Sequence, residues 1–240
     1  MGEIHWTEIA FGAATFVVLT SYHLYWLYQL RQKPLNTYMG VTKYIRRMWV
    51  DSIILQKRDI LSVQTFRNWI MAASFLASTS MILGLGLLSF IFKPEHFSEI
   101  PFDLTLMFSR IKTLFMVKLM LLIMHFFFAF FSFTLSIRYM NQINFMINVP
   151  IECDPNLTPD LIAHTLDMGM THYTAGMRAL YLSVVVTLWL FGPVWMFTGS
   201  LILVYVLNKL DHCCIQDYVA AKCDMRKPFF AGPHEPPAKE

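Results

Sequence analysis

The chain has 240 residues, of which 56% are hydrophobic and 15% are charged, and its formal net charge is +3. A soluble domain carries about 25% charged residues, so this composition excludes an ordinary soluble domain and indicates an integral membrane protein. The small, dispersed positive charge argues against a nucleic-acid partner, and the length leaves no room for a separate catalytic domain beside a membrane bundle.

Four apolar segments predict membrane-spanning helices, because a bilayer core requires about 20 apolar residues in a helix. We place the spans at residues 9–30, 68–92, 114–137 and 179–208. The predicted fold is therefore all-α, an integral membrane four-helix bundle. It forms a single membrane-embedded domain, 1–223, followed by a polar, proline-rich tail, 224–240.

The first predicted span ends at a membrane interface, where Tyr25, Trp26 and Tyr28 precede Arg31. Aromatic residues followed by cations are typical of such an interface. Segment 41–67 is rich in Lys and Arg, and its apolar residues recur at helical spacing. We interpret it as an amphipathic helix that continues into the second span, with a dedicated lipid-binding helix as the alternative.

The second span carries small residues at helical spacing, which let membrane helices pack closely: Ala73, Ala77, Ser80 and Gly84. The third span continues past the bilayer, and the fourth begins early, near Pro159. A helix from Asp160 to Asn208 would be about 73 Å long, against a hydrocarbon thickness of about 30 Å. We therefore predict helical extensions beyond the bilayer on the side of the 31–67 connection.

Basic loops favour the cytoplasmic side, so the 31–67 connection is expected inside and, with four spans, both termini outside. The basic C-terminal tail argues for the opposite orientation. The sequence does not indicate which cellular membrane holds the protein, and the mitochondrial inner membrane is one candidate.

Four motifs in chain order carry a family resemblance: YHLYWLY, DILSVQTFRNWIMAASFLAST, SIRYMNQINFMINVP and ALYLSVVVTLWLFGP. Together they resemble the uncharacterised multi-span membrane family of plants and bacteria filed as domain of unknown function 599. The resemblance covers most of residues 15–211. It implies a multi-span membrane protein and supplies no activity. The shared residues to which it points are Tyr22, His23, Arg67, Asn68, Arg138, Asn144, Asn148, Arg178, Tyr181, Gly192 and Pro193.

Two histidines inside the predicted spans are candidate cofactor ligands. His23 and His125 are expected to differ in depth by about 8 Å, so two facing helices would present both imidazoles to one haem iron. The more common alternative is that each histidine bonds a neighbouring hydroxyl or carbonyl within the bundle.

Cations and amides at the inner ends of the spans form a candidate site for an anion or a lipid headgroup, because guanidinium binds phosphate and carboxylate bidentately. Its members are Arg67, Arg138, Arg178, Asn144 and Asn148. The stronger alternative is that each arginine extends to the headgroups or pairs with an aspartate.

Gly192 and Pro193 predict a hinge, because proline removes a helical hydrogen bond near the middle of the fourth span. Broken helices line many transporter sites, although proline kinks are common in membrane helices. Lys118 is expected to anchor the third span at the outer interface. The spans show no other deep ionisable side chain, which weakens proton-coupled transport.

No cofactor and no metal site is predicted, since Asp211, His212, Cys213, Cys214 and Cys223 match no standard zinc spacing. Nucleophile-elbow, phosphate-loop and dinucleotide motifs are absent from the sequence, so we expect no enzymatic activity. The leading hypothesis is a non-enzymatic structural or accessory subunit, with the lipid bilayer and other membrane protein subunits as partners. The alternatives are a small-solute or ion transporter or channel, and a haem- or quinone-binding electron-transfer protein.

Overall fold

A computed structural model describes residues 2–32, 37–57, 59–92, 105–150 and 156–211. These residues form six helices: α1 (Gly2–Gln32), α2 (Tyr38–Leu55), α3 (Asp59–Ile91), α4 (Thr105–Met146), α5 (Pro159–Phe191) and α6 (Pro193–Asp211). Five of them, all but α2, are long and apolar enough to cross a membrane. The all-α prediction is confirmed, and the chain has the helices of a multi-pass membrane protein.

The predicted fourth span consists of two helices, so the prediction of one kinked span, and of four spans in total, is corrected. α5 ends at Phe191, and Gly192 follows with φ of 144°. Residues with a Cβ rarely adopt such an angle, whereas glycine does so readily. The Gly192 N–H donates to the carbonyl of Trp189, and Pro193 opens α6 at the position where proline is favoured. The chain reverses here.

α6 runs antiparallel to α5, and the two helices form a hairpin. Gly199 lies so close to Leu188 that an added methyl group would overlap its side chain. Farther from the turn, Arg178 binds Asp211. Residues near Gly192 on both sides contact each other, and so do residues farther from it on both sides, as in an antiparallel pair.

α1 packs along α6 and runs parallel to it. The rings of Phe11 and Phe197 lie 5.8 Å apart near the start of both helices. Tyr22 meets Asp211 at the other end. α1 therefore begins at the hairpin tip, and the end of α6 lies at the same end of the bundle as the connection from α1 to α2.

α4 packs between α3 and α5, where the small residues of α3 face inward as predicted. Ala73, Ala77, Ser80 and Gly84 are all buried. Ala77 belongs to a buried cluster with Ala129, Phe133 and Ala179. Lipid gives membrane helices no hydrophobic drive to associate. Small residues let two helices approach closely, and the resulting packing stabilises the contact.

α2 packs against the ends of α3, α4 and α5 that lie away from the hairpin tip, while the predicted extension of these helices beyond the bilayer stays a prediction. Their hydrophobic core contains Val50, Ile53, Phe66, Met140, Ile143, Ile147, Ile162, Ala163 and Leu166. The predicted amphipathic helix does not continue into the second span. It ends at Leu55, and Lys57 has a positive φ of 49° before α3 begins.

The C-terminal tail 224–240 lies outside the described residues, as do His212, Cys213, Cys214 and Cys223.

A polar seam between α1, α5 and α6

One face of α1 carries polar side chains at a regular interval. Glu8, Thr15 and Tyr22 are spaced seven residues apart, which is about two helical turns, so they share a face. Thr15 and Tyr22 are buried. The row extends for about 21 Å along the helix axis. We call these three residues, with Lys118, Arg178 and Asp211 that meet them, the polar seam.

At the end of the seam away from the hairpin tip, the carboxylate of Asp211 on α6 joins α1 and α5. Arg178 Nη2 lies 3.0 Å from Oδ1 and 2.8 Å from Oδ2 of Asp211. The Tyr22 hydroxyl donates to Asp211 Oδ2 at 2.5 Å. The side chains of Arg178 and Asp211 are only 12% and 16% exposed. Charge-assisted hydrogen bonds of this kind are among the stronger ones, so the cluster ties α1 to the α5–α6 hairpin.

Trp26 closes this cluster from α1. The guanidinium carbon of Arg178 lies 3.8 Å from the centre of the Trp26 rings, an arrangement that favours a cation–π interaction. Arg178 Nη1 and Trp26 Nε1 are both buried and have no acceptor among the described residues. Buried donors in proteins are normally paired. Two such donors beside one ion pair mark a place where an acceptor atom of a solute or water would bind.

The position of this ion pair along α5 can be compared with the thickness of a bilayer. Arg178 is about 20 Å along α5 from Phe191, and the hydrocarbon layer is about 30 Å thick. With the hairpin tip placed at one boundary of that layer, the guanidinium is inside it. Ionisable residues inside membrane bundles are rare, and they mark ion and substrate pathways.

At the end of the seam near the hairpin tip, Lys118 on α4 is buried and forms an ion pair with Glu8. Its side chain is 8% exposed, and Nζ lies 3.3 Å from Glu8 Oε1 and 3.2 Å from the carbonyl of Trp189. Trp189 Nε1 donates to Glu8 Oε2 at 3.2 Å. Lys118 is therefore held by protein groups, and its predicted role as an interfacial anchor stays a prediction. Its ammonium group is satisfied by the bundle itself.

The sequence also missed the acidic partners, because Glu8 and Asp211 fall just outside the predicted spans 9–30 and 179–208. Glu8 is the first residue and Asp211 the last residue of helical segments that are apolar enough to cross a membrane. The expectation that no other ionisable side chain lies deep in a span therefore stays a prediction. The seven-residue spacing in α1 was the available signal.

A family model described as "Protein of unknown function, DUF599" matches residues 10–214. The chain belongs to this family. The resemblance carried by the four motifs is thereby confirmed, and the match extends slightly beyond it at both ends. No curated protein and no solved structure matches the chain. All the seam residues of this DUF599 chain except Glu8 lie within the matched range.

The two candidate haem ligands are not on paired helices, since α1 packs along α6 whereas α4 packs along α3 and α5. His23 Nδ1 lies 2.8 Å from the carbonyl of Leu19, and His125 Nδ1 lies 2.8 Å from that of Leu121. Each ring is thus bonded within its own helix, as in the alternative interpretation. Haem binding by these residues stays a prediction without support from the helix packing.

The residues of the candidate anion site in the DUF599 chain differ in their exposure and partners. Arg67 and Arg138 are exposed, whereas Arg178 is turned into the seam and bound to Asp211. The Asn148 amide donates to the carbonyl of Asn144 at 2.7 Å within α4. The pairing of an arginine with an aspartate is the alternative that the structure supports for Arg178, whose partner is Asp211.

Proposed function

We propose that this DUF599 protein is a membrane transporter of a small solute or ion and that the polar seam is its route. The observation that supports the proposal is the Tyr22–Asp211–Arg178 cluster, which holds largely buried paired charges beside two buried N–H donors that have no acceptor among the described residues. A purely structural ion pair has no need of additional donors.

The seam supplies polar groups at successive depths. Glu8 and Lys118 lie near the hairpin tip, and Tyr22 and Asp211 lie about 21 Å farther along α1. Between them the buried hydroxyl oxygen of Thr15 has no partner among the described residues. A solute moving along this face would meet a hydrogen-bonding group about every 10 Å.

Asp211 is the proposed switch. A small anion that enters the cluster competes with Asp211 for Arg178, and its acceptor atoms meet Arg178 Nη1 and Trp26 Nε1. The anion replaces the Asp211 carboxylate as the partner of the guanidinium, and a proton taken up by Asp211 in the same step leaves that carboxyl uncharged. Neither buried charge is then left unpaired. Gly192 and Pro193 join the two hairpin helices and are the proposed hinge for their movement.

Flux in reconstituted vesicles tests the proposal. The purified protein is placed in proteoliposomes that contain a pH-sensitive dye, and uptake of radiolabelled small carboxylates is measured in parallel. Arg178→Gln and Asp211→Asn are each expected to reduce flux by on the order of tenfold or more, since each removes one side of the switch. The matched control is Arg138→Gln, which removes an exposed cation outside the seam.

Wild-type vesicles without any proton or carboxylate flux would count against transport. An equal loss of flux in the Arg138→Gln control would show that net charge matters and that the seam does not.

A further inference from the structure

A charged cleft lies between α2 and the first half of α5, away from the seam. Its volume is about 690 Å³. Its polar wall consists of Lys43, Tyr44, Arg47, Asp160, His164 and Asp167. None of these residues belongs to the polar seam, so the cleft is independent of the proposed transport route.

One carboxylate of the wall is already neutralised. Arg46 donates to Asp167 Oδ1 through Nε at 3.1 Å and through Nη2 at 2.8 Å. The side chains of Arg46 and Asp167 are mostly buried, at 17% and 16% exposed. A hydrogen-bonded pair shielded from water is persistent, so Asp167 is committed to Arg46.

The other two cations, Lys43 and Arg47, are held only weakly by their carboxylate partners. The Lys43 side chain is 65% exposed, and Nζ lies 3.5 Å from Asp167 Oδ2. Arg47 pairs with Asp160, and their side chains are 53% and 68% exposed. Ion pairs this exposed to solvent contribute little and exchange readily. With Arg46 and the nearby Asp51 included, three cations stand against three carboxylates, so an entering phosphate would have to take over Lys43 and Arg47 from their carboxylate partners.

The depth of the cleft matches a lipid headgroup layer. Asp167 and Asp160 lie about 36 Å and about 46 Å along α5 from Phe191. The hydrocarbon layer is about 30 Å thick, and the bilayer with its headgroups is about 40–45 Å thick. With the hairpin tip at one hydrocarbon boundary, the cleft begins where the phosphates of the opposite leaflet lie.

We propose that this cleft binds a phosphate group, carried either by an anionic lipid or by a soluble ligand. The Arg47 guanidinium binds phosphate oxygens bidentately, and the Lys43 ammonium adds a point charge. The Tyr44 hydroxyl is a further donor in the wall. The site is distinct from the sequence-based anion site at Arg67, Arg138, Arg178, Asn144 and Asn148, which stays a prediction.

Native mass spectrometry of the full chain in detergent tests this site, with phosphatidylglycerol as the lipid probe and inorganic phosphate as competitor. The double variant Lys43→Gln/Arg47→Gln is expected to bind phosphatidylglycerol on the order of tenfold more weakly, since it removes two charge-assisted contacts. The matched control, Lys57→Gln/Arg67→Gln, removes two exposed cations outside the cleft and is expected to bind as the wild type does. Lys43→Arg/Arg47→Lys keeps both charges and is expected to retain most of the binding.

The arms of the experiment separate the two sources of phosphate. Competition by millimolar inorganic phosphate indicates a soluble ligand, whereas lipid binding that phosphate does not displace indicates a headgroup. An equal loss in the double variant and its control overturns the site, as does a wild-type protein that binds neither probe. Both variants change side chains that are exposed, so each is checked for a wild-type unfolding temperature before binding is compared.

Discussion

At the residue scale, the ion pair of Arg178 and Asp211 differs from those at the surface because water is largely excluded from it. Asp211→Asn leaves a buried guanidinium without its counter-charge. We expect this variant to lose about 3–5 kcal/mol of stability, measured as thermal unfolding in detergent. Arg178→Gln/Asp211→Asn removes both charges and is expected to recover part of the loss.

The exposed pair of Arg47 and Asp160 provides the comparison for this prediction. Arg47→Gln is expected to change stability by about 0–1 kcal/mol, because both side chains are more than half exposed. Similar losses for Asp211→Asn and Arg47→Gln would show that burial does not strengthen the Arg178 pair.

Gly192 is the residue on which the chain reversal depends. Its φ of 144° is one that only glycine adopts readily, so we expect Gly192→Ala to destabilise the protein by about 1–3 kcal/mol. Gly86→Ala is the matched control, because an added methyl group there meets no atom within 4 Å. That control is expected to be neutral or slightly stabilising, since alanine favours helices. Equal unfolding temperatures for the two variants would contradict the strained turn.

Asp51 lies on α2, outside the membrane-spanning helices, and we expect it to make the stability of the protein depend on pH. Burial raises the pKa of this carboxyl above its usual 3.8, and Asp160 adds to the rise, although Arg47 opposes it. The folded protein therefore binds the proton more tightly than the unfolded chain does. Stability from this group is fully present below the ordinary pKa and is lost as the pH rises through the raised value.

The variant Asp51→Asn does not lose this stability as the pH rises, because asparagine does not ionise. We expect the variant to unfold at a higher temperature than the wild type near neutral pH, with the difference narrowing toward about pH 4. Thermal unfolding across this pH range measures it. A constant difference at every pH would show that Asp51 acts through packing and not through its charge.

At the element scale, the α5–α6 hairpin is the main departure from the sequence prediction. Segment 179–208 is apolar throughout, and a Gly-Pro pair is compatible with either a kink or a turn. Two observations decide for the turn: the backbone angle of Gly192 and the close approach of Gly199 to Leu188. Neither can be read from composition or hydropathy.

Cysteine labelling distinguishes the hairpin from a single kinked span. In a background with the four native cysteines changed to serine, we expect His164→Cys and Lys209→Cys to react with an impermeant reagent from the same side. Val194→Cys near the hairpin tip is expected to react from the other side. One kinked helix would instead place positions 164 and 209 on opposite sides.

At the scale of the whole molecule, five apolar helices resolve the conflict over orientation. The end of α6 lies at the same end of the bundle as the basic connection from α1 to α2, so both basic segments favour one orientation. We infer that this end is cytoplasmic, and the same labelling experiment, performed in intact cells, tests the assignment. The expectation of both termini outside assumed four spans, and five crossings would instead place the ends of the described helices on opposite sides.

The accessory-subunit hypothesis also belongs to this scale, and it stays a prediction. The outward face of α1 is apolar, with Phe16, Leu24 and Tyr28 exposed, and either lipid or another subunit would cover it. Extraction in digitonin followed by mass spectrometry of the co-migrating proteins decides between them. Stoichiometric partners would support a subunit, whereas a protein that migrates alone would favour an independent transporter.

The sequence by itself determined the all-α class, the first three spans, the inward face of α3 and the family, because each rests on local hydropathy or on contiguous motifs. Only the tertiary structure decided the fifth helix, the polar seam and the cleft. The seam joins Glu8 to Lys118 and Tyr22 to Asp211, and the cleft joins α2 to α5. Partners this far apart in the chain carry no local pattern, so their meeting depends on a glycine turn and on how helices pack.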